Sequence, residues 1–120
     1  MYRVLVVDDE KSVIDILIAL QNFCNYQVAG VATDGKESIE KYAQLNPKPD
    51  VVLMDQRMPV MNGIEATIEI LKIDPKAKVL FVSADPSIMK KALEVGAKGF
   101  VEKPFAIRDL REAIERAATA

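Results

Sequence analysis

No histidine occurs anywhere in the chain. That absence removes both the commonest zinc ligand and the commonest general base. Cysteine is nearly as scarce: Cys24 stands alone, so no internal disulfide framework can form, and the thiol reads as a small, buried, inert hydrophobe. No charge-free apolar run is long enough for a transmembrane helix. The N-terminus enters a hydrophobic strand directly, without the basic-then-apolar layout of a secretory signal. Neither sign of charge dominates: 16 Lys and Arg against 18 Asp and Glu leave a net charge of −2, and no basic stripe suggests nucleic acid. Low-complexity segments, internal repeats and linkers are missing as well. The expectation is one soluble, cytoplasmic domain over residues 1–120, in contact with neither membrane nor nucleic acid.

What is present is a regular alternation of patterns in a chain that is 50% apolar, near the commonest size for one domain. Arg3–Val7 is almost wholly apolar after its first residue and ends in Asp8-Asp9-Glu10. Val13, Leu17 and Leu20 follow at helical spacing, with Ile14 and Ile18 beside them. Asn25 turns the chain into a short strand, Gln27–Ala32. After the turn Thr33-Asp34-Gly35, Glu37–Leu45 reads as a helix with Ile39 and Tyr42 inward, ended by Pro47 and Pro49. Val51–Met54 is a third strand. Ile64, Ile68 and Leu71 mark a third helix, stopped at Asp74-Pro75. A fourth strand, Lys78–Val82, leads to Pro86 near the start of a helix carrying Met89, Ala92 and Leu93, which Gly96 closes. Lys98–Val101 is a fifth strand, and Leu110, Ala113, Ile114 and Ala117 mark the last helix. Five strands alternating with five helices through short connections imply βαβ crossovers. The fold class is therefore α/β, a parallel sheet covered on both faces.

In a parallel sheet all strand C-termini share one edge, where open α/β folds place their ligands. Asp8-Asp9, Asp55, Ser83 and Lys103 stand just past the first, third, fourth and fifth strands. Each has a bland reading: the acids as helix caps, Ser83 as a turn residue, Lys103 as a solvated side chain, Met58-Pro59 as plain loop. Together they say more. Two carboxylates about 4 Å apart repel by about 4 kcal/mol at an effective dielectric of about 20. Clustered acids should therefore hold a proton or bind a cation. An oxygen-only donor set suits a hard cation, magnesium first. Lys103 is expected to add a second positive charge on the far side of Asp55. A cation and a lysine flanking one carboxylate suit the handling of a phosphoryl group, with Asp55 as a nucleophile giving an acyl phosphate and Ser83 donating to a phosphoryl oxygen.

The runs Val7-Asp8-Asp9-Glu10, Asp55-Gln56-Arg57-Met58-Pro59, Asn62-Gly63, Ser83-Ala84, Gly96-Ala97 and Lys103-Pro104-Phe105, in this order and spacing, resemble the receiver domains of two-component response regulators. This is the family of the chemotaxis protein CheY, and the resemblance spans essentially the whole chain. It implies a flavodoxin-like (βα)5 fold with strand order 2-1-3-4-5. Asp55 corresponds to the phosphate-accepting aspartate. Asp8 and Asp9, the latter more directly, hold Mg2+ with Asp55 and the main-chain carbonyl of Arg57, and Mn2+ could substitute. Ser83 is the switch hydroxyl and Lys103 the phosphoryl contact. Phe100, otherwise a plain core aromatic, is the switch aromatic. The Lys103–Pro104 peptide is expected to be cis, the form of only about 5–6% of X–Pro bonds.

The implied partners are a sensor histidine kinase or histidine phosphotransfer protein and a downstream protein target, the latter on the face built from the fourth helix, fifth strand and fifth helix. Slow self-dephosphorylation is expected rather than enzymatic turnover. Two departures stand out. The Ser83-to-Lys103 spacing is shorter than usual in the family, and the missing length is placed at the start of the fourth helix. Arg57 and Asp85 occupy positions that tune dephosphorylation, and are expected to pair across the site mouth. A magnesium-dependent aspartyl-phosphate phosphatase of the haloacid dehalogenase type is the rival reading, but it needs an acid where Arg57 stands. A phosphorylation-independent docking module is the other, and the complete residue set argues against it.

Overall fold

The side-chain alternation of the strands decides the architecture. A computed structural model describes residues 1–120. Five strands, β1 (Tyr2–Val7), β2 (Tyr26–Ala32), β3 (Val51–Met54), β4 (Val79–Ser83) and β5 (Gly99–Glu102), alternate with α1 (Lys11–Ala19), α2 (Gly35–Gln44), α3 (Gly63–Ile73), α4 (Met89–Glu94) and α5 (Ile107–Ala118). All neighbours are parallel, in the order β2-β1-β3-β4-β5, as the family resemblance implies. Val4 and Val6, Val51 and Leu53, Leu80 and Val82 point to one face, where Ile14 and Leu17 of α1 and Leu110 and Ile114 of α5 cover them. Leu5 and Val7, Val52 and Met54, Val79 and Phe81 point to the other, beneath Tyr42 of α2, Ala66 and Ile70 of α3 and Ala92 of α4. With both faces buried, Val4–Val7, Val51–Met54 and Val79–Val82 of the three central strands need apolar residues at every position, hence the unbroken hydrophobic runs.

The helices follow less tidily. In α1, Ile14 and Leu17 are buried, but Ile18 turns outward. One helix side meets the sheet, and α1 has more apolar residues than that side can take. In α3 the expected markers Ile64, Ile68 and Leu71 are only half-buried, whereas Ala66, Thr67 and Ile70 are buried. The inward stripe holds small residues, and Thr67 is accommodated because its hydroxyl donates to the Gly63 carbonyl at 2.8 Å. In α4 only Ala92 is buried, while Met89 and Leu93 are exposed. A single 3-10 turn over Pro86–Ile88 precedes it, and α4 itself has only 6 residues, too short to turn a whole stripe inward.

Local chemistry sets the helix starts. Asp34 caps α2, its Oδ1 accepting from the Glu37 N–H at 2.7 Å, so α2 begins two residues earlier than its apolar pattern suggests. Asn62 and Glu65 form a reciprocal capping box at α3. Cys24 is buried and its thiol lies 3.8 Å from the Ile107 carbonyl; burial pushes the thiol pKa up, as an inert residue requires. Two proline peptides are cis, Lys103–Pro104 and Asn46–Pro47.

Positive φ occurs at Asn25 (59°), Gly96 (116°) and Val60 (70°). The first two residue types tolerate it, whereas a β-branched side chain does not. Val60 is 78% exposed, so it gains little burial in return. Val60→Asn is expected to stabilise the fold by about 1 kcal/mol in urea titrations, since asparagine accepts the left-handed conformation. An unchanged or lower midpoint would show that the valine side chain contributes contacts that offset its strain.

Candidate functional site

The register of β1 against β3 sets up the site. Val7 pairs with Met54, so the next residue on each strand is a carboxylate, Asp8 beside Asp55. The Asp55 N–H donates to the Val7 carbonyl at 2.9 Å, which locks the two ends together. Both side chains are buried, with Asp8 2% and Asp55 6% exposed. Lys103, arriving from β5, resolves the conflict: its Nζ lies 3.0 Å from Asp8 Oδ2 and 3.5 Å from Asp55 Oδ1. The lysine therefore stands between the two acids, and not on the far side of Asp55 as its place in the sequence suggests. Burial, then the Asp8 charge, raise the Asp55 pKa to about 6, although Lys103 and the Gln56 N–H pull against them. For Lys103 burial opposes the charged form, but the bond to Asp8 and the two carboxylate charges prevail and hold its pKa above the ordinary value.

Beside this bridge lies a second cluster. Asp8, Asp9 and Glu10 each offer a carboxylate oxygen within 4.8 Å of the others. Glu10, which motif spacing alone does not single out, joins because its N–H donates to Asp8 Oδ1 at 2.9 Å and folds the chain back. Asp55 is not in this cluster; it faces Lys103. An all-oxygen set with one buried and two exposed acids fits a hard divalent cation that keeps several waters, which is the habit of magnesium.

A cleft of about 190 Å³ opens over Asp55, lined by Glu10, Arg57, Ser83, Ala84, Asp85 and Lys103. At its mouth Arg57 Nη2 lies 3.5 Å from Asp85 Oδ2. Asp85 is a junction: its N–H donates to Ser83 Oγ at 3.1 Å and its Oδ1 accepts from the Ser87 N–H and hydroxyl. The Ser87 hydroxyl first, and Arg57 more weakly, hold the Asp85 carboxyl below its ordinary range. Ser83 is buried at the end of β4, where its carbonyl accepts from the Lys103 N–H at 2.9 Å. Phe100 of β5 is half-buried against the core. Gln56 is a residue that motif reading passes over. Its Oε1 caps the Ile64 N–H at 2.9 Å and its carbonyl accepts from the Gly63 N–H at 3.0 Å, tying the loop around Arg57 to the start of α3. Gly63 leaves no room for a side chain there, because a Cβ would stand 2.1 Å from the Asp55 carbonyl oxygen.

A titration follows from the raised Asp55 pKa. Unfolded aspartate titrates near about 4, so the folded, metal-free protein binds this proton more tightly. Its contribution to stability is full below about pH 4 and is lost as pH rises through about 6. Asp55→Asn, which cannot ionise, is expected to stabilise the metal-free protein by about 1–3 kcal/mol at pH 7, with the difference closing toward pH 4 in urea titrations. A difference independent of pH would remove the buried-carboxylate account.

Comparison with known proteins places this geometry. Residues 4–115 match the family model of the response regulator receiver domain. The chemotaxis protein CheY of Thermotoga maritima is 45% identical over 116 residues, covering 95% of either chain. The CheY of Treponema pallidum is 42% identical over 98% of this chain and 81% of its own. Among solved structures, the response regulator domain of Thermotoga maritima CheB superposes with a TM-score of 0.90 at 35% identity, covering 100% of this chain and 98% of its own. The CheY of a CheX–CheY–BeF3–Mg2+ complex from Borrelia burgdorferi gives 0.88 at 30% identity, covering 94% and 86%. The chain belongs to the response regulator receiver domain family and is a CheY-like domain of two-component signalling.

Proposed function

We propose that residues 1–120 form a single receiver domain in which Asp55 accepts a phosphoryl group from the phosphohistidine of a sensor histidine kinase or a phosphotransfer protein. The observation that carries this reading is the Asp8–Lys103–Asp55 bridge beside a three-carboxylate cluster. It supplies a nucleophilic carboxylate, a mobile cation and an oxygen donor set in one place. An Asp55 oxygen attacks phosphorus, the P–N bond breaks with its electron pair going to the imidazole, and an acyl phosphate is formed. Asp8, Asp9 and Glu10, with Asp55 and the Arg57 carbonyl, are the groups that would hold Mg2+, for which Mn2+ could substitute. When bound there, such an ion would supply charge neutralisation for the phosphoryl oxygens. Lys103, released from its divided role, turns to the phosphoryl group. Ser83 already uses its oxygen as an acceptor for the Asp85 N–H, so its hydroxyl proton is free to donate. Phe100 follows into the space this opens, and the face of α4, β5 and α5 changes for a downstream protein target. Self-dephosphorylation is slow, because Arg57 and Asp85 narrow the path of the attacking water.

A donor also needs a place to dock. An apolar cleft of about 420 Å³ adjoins the site, lined by Val13, Ile16, Ala84, Pro104 and Phe105 with Glu10 and Lys103 at its inner end. Ile16 on α1 is 51% exposed and adds apolar surface to this cleft. This surface suits an apolar face of a phosphodonor, with its phosphohistidine over Asp55.

Incubation with beryllofluoride and Mg2+ is expected to modify Asp55 and leave Asp55→Asn unlabelled, read by fluorine NMR. Steady release of phosphate from general monoesters would select a phosphatase instead, and no reaction in either assay would select a phosphorylation-independent docking module. Magnesium at about a hundredfold excess over its dissociation constant is expected to raise stability by about 2.7 kcal/mol; a melting temperature insensitive to Mg2+ counts against the acidic cluster. Arg57→Ala, which opens the cleft mouth, is expected to shorten the acyl phosphate lifetime several-fold in a phosphate-release assay. An unchanged lifetime sinks the gating role of the Arg57–Asp85 pair.

A further inference from the structure

β5 is the last strand of the sheet, with β4 as its one partner, so one side of its main chain has no strand beside it. Along this edge runs a groove of about 380 Å³ floored by Phe100, Pro104 and Phe105 and walled by α5. Charge is sorted on the wall. Asp109, Glu112 and Arg116, spaced at one helical stripe, line the groove together with Glu102 of β5. Arg108, Arg111 and Glu115 occupy the adjacent stripe with the opposite order of signs, and Arg111 acts on Cys24, whose thiol lies 3.8 Å from the Ile107 carbonyl, which places that stripe on the other flank. None of Glu102, Asp109 and Glu112 has an ion pair or a side-chain hydrogen bond within the chain. The groove therefore presents three unpaired carboxylates over an aromatic floor, with a guanidinium only at its far end.

We propose that this groove is a docking site for a cationic amphipathic segment of a partner protein. The segment lays an apolar anchor on Phe100 and Phe105, sets Lys or Arg against Glu102, Asp109 and Glu112, and runs along the open edge of β5. Charge complementarity selects this occupant. A nucleic acid is repelled by the carboxylates, and an acidic segment finds a countercharge at Arg116 alone. The open strand edge adds main-chain donors and acceptors for an extended segment. The proposal deepens the output reading above and rests on it for its regulation, since Phe100 belongs both to the floor and to the proposed switch. A movement of that ring when Asp55 is modified changes the depth of the groove.

The test is selection of a random peptide library displayed on phage against the beryllofluoride-loaded chain, followed by backbone NMR mapping of the selected peptides. Peptides carrying Lys or Arg beside an apolar anchor, with shifts over Phe100–Ala106 and Asp109–Arg116, are expected. The double substitution D109K/E112K on the exposed wall is expected to weaken them about tenfold or more, with added salt acting in the same direction. Selected peptides that are acidic or neutral, a footprint elsewhere, or unchanged affinity in D109K/E112K each overturn the groove. The two readings separate cleanly. Failure of beryllofluoride to modify Asp55 removes the switch while the groove can still be mapped on the free chain. Binding in the groove with equal affinity with and without beryllofluoride supports the groove and overturns its regulation by Asp55.

Discussion

Two buried carboxylates on neighbouring strands share one lysine, and the rest of the molecule is arranged around that shortage of positive charge. The pairing of Val7 with Met54 leaves Asp8 and Asp55 no choice of neighbour. Their countercharge, Lys103, does not come from an adjacent strand, because β4 lies between β3 and β5. With strands about 4.8 Å apart, a group starting on β5 must cross roughly 10 Å to reach Asp55. A lysine stem is long enough, provided its main chain is held at the near end. The bond from the Lys103 N–H to the Ser83 carbonyl does that. The reach of Lys103 thus depends on where β4 ends, and Ser83 sits at that point.

The same end of β4 connects the site to the rest of its surroundings. Asp85 receives three interactions from three directions: Ser83 Oγ takes its N–H, Ser87 donates to its carboxylate, and Arg57 stands at its outer oxygen. On the proposed reading a phosphoryl group on Asp55 draws the Ser83 hydroxyl toward itself, which changes the acceptor that the Asp85 N–H sees. Asp85 also caps the 3-10 turn that leads into α4. The path from site to helix therefore runs through hydrogen bonds that all meet at one residue, and α4 is short enough, with one buried residue, to respond.

Much of this was legible in the sequence because the strands are fully buried. Val4–Val7, Val51–Met54 and Val79–Val82 must be apolar on both faces, so they announce themselves, and the polar residue that ends each one is the site. Asp8, Asp55 and Ser83 are visible for that reason; Lys103 follows the half-exposed edge strand β5 and stands out by its place in the motif Lys103-Pro104-Phe105. Helices α3 and α4 are less legible because much of their inward side is made of small residues. Ala66, Thr67 and Ala92 do the packing that Ile64, Leu71, Met89 and Leu93 seem suited for, and hydrophobicity does not mark them. Lys103 bridges Asp8 and Asp55 where its place in the sequence suggests the far side of Asp55, since spacing along a chain gives no direction for a flexible side chain. Glu10 and Gln56 act through local geometry, the Glu10 N–H donating to Asp8 Oδ1 and the Gln56 side-chain oxygen capping α3, which spacing alone does not specify. The cis peptide at Asn46–Pro47 had no signal to distinguish it from an ordinary turn.

The size of the proposed switch can be checked against the interactions available to it. Moving a two-state element from about 1:99 to about 99:1 requires roughly 5.5 kcal/mol of differential stabilisation. Hydrogen bonds to charged groups contribute about 1.5–3 kcal/mol each. Ser83 and Lys103 are two such donors, which brings the total to about 3–6 kcal/mol, but Lys103 must first give up Asp8. If Asp8 were left bare, the cost of an unpaired buried charge would cancel the gain. The adjoining oxygen cluster answers this difficulty: Asp8 belongs both to the lysine bridge and to the three-carboxylate group, so a cation held there would take over as its countercharge on the proposed reading. Acceptance of a phosphoryl group and occupancy of the acidic cluster are then one charge balance, and a switch of full amplitude needs both.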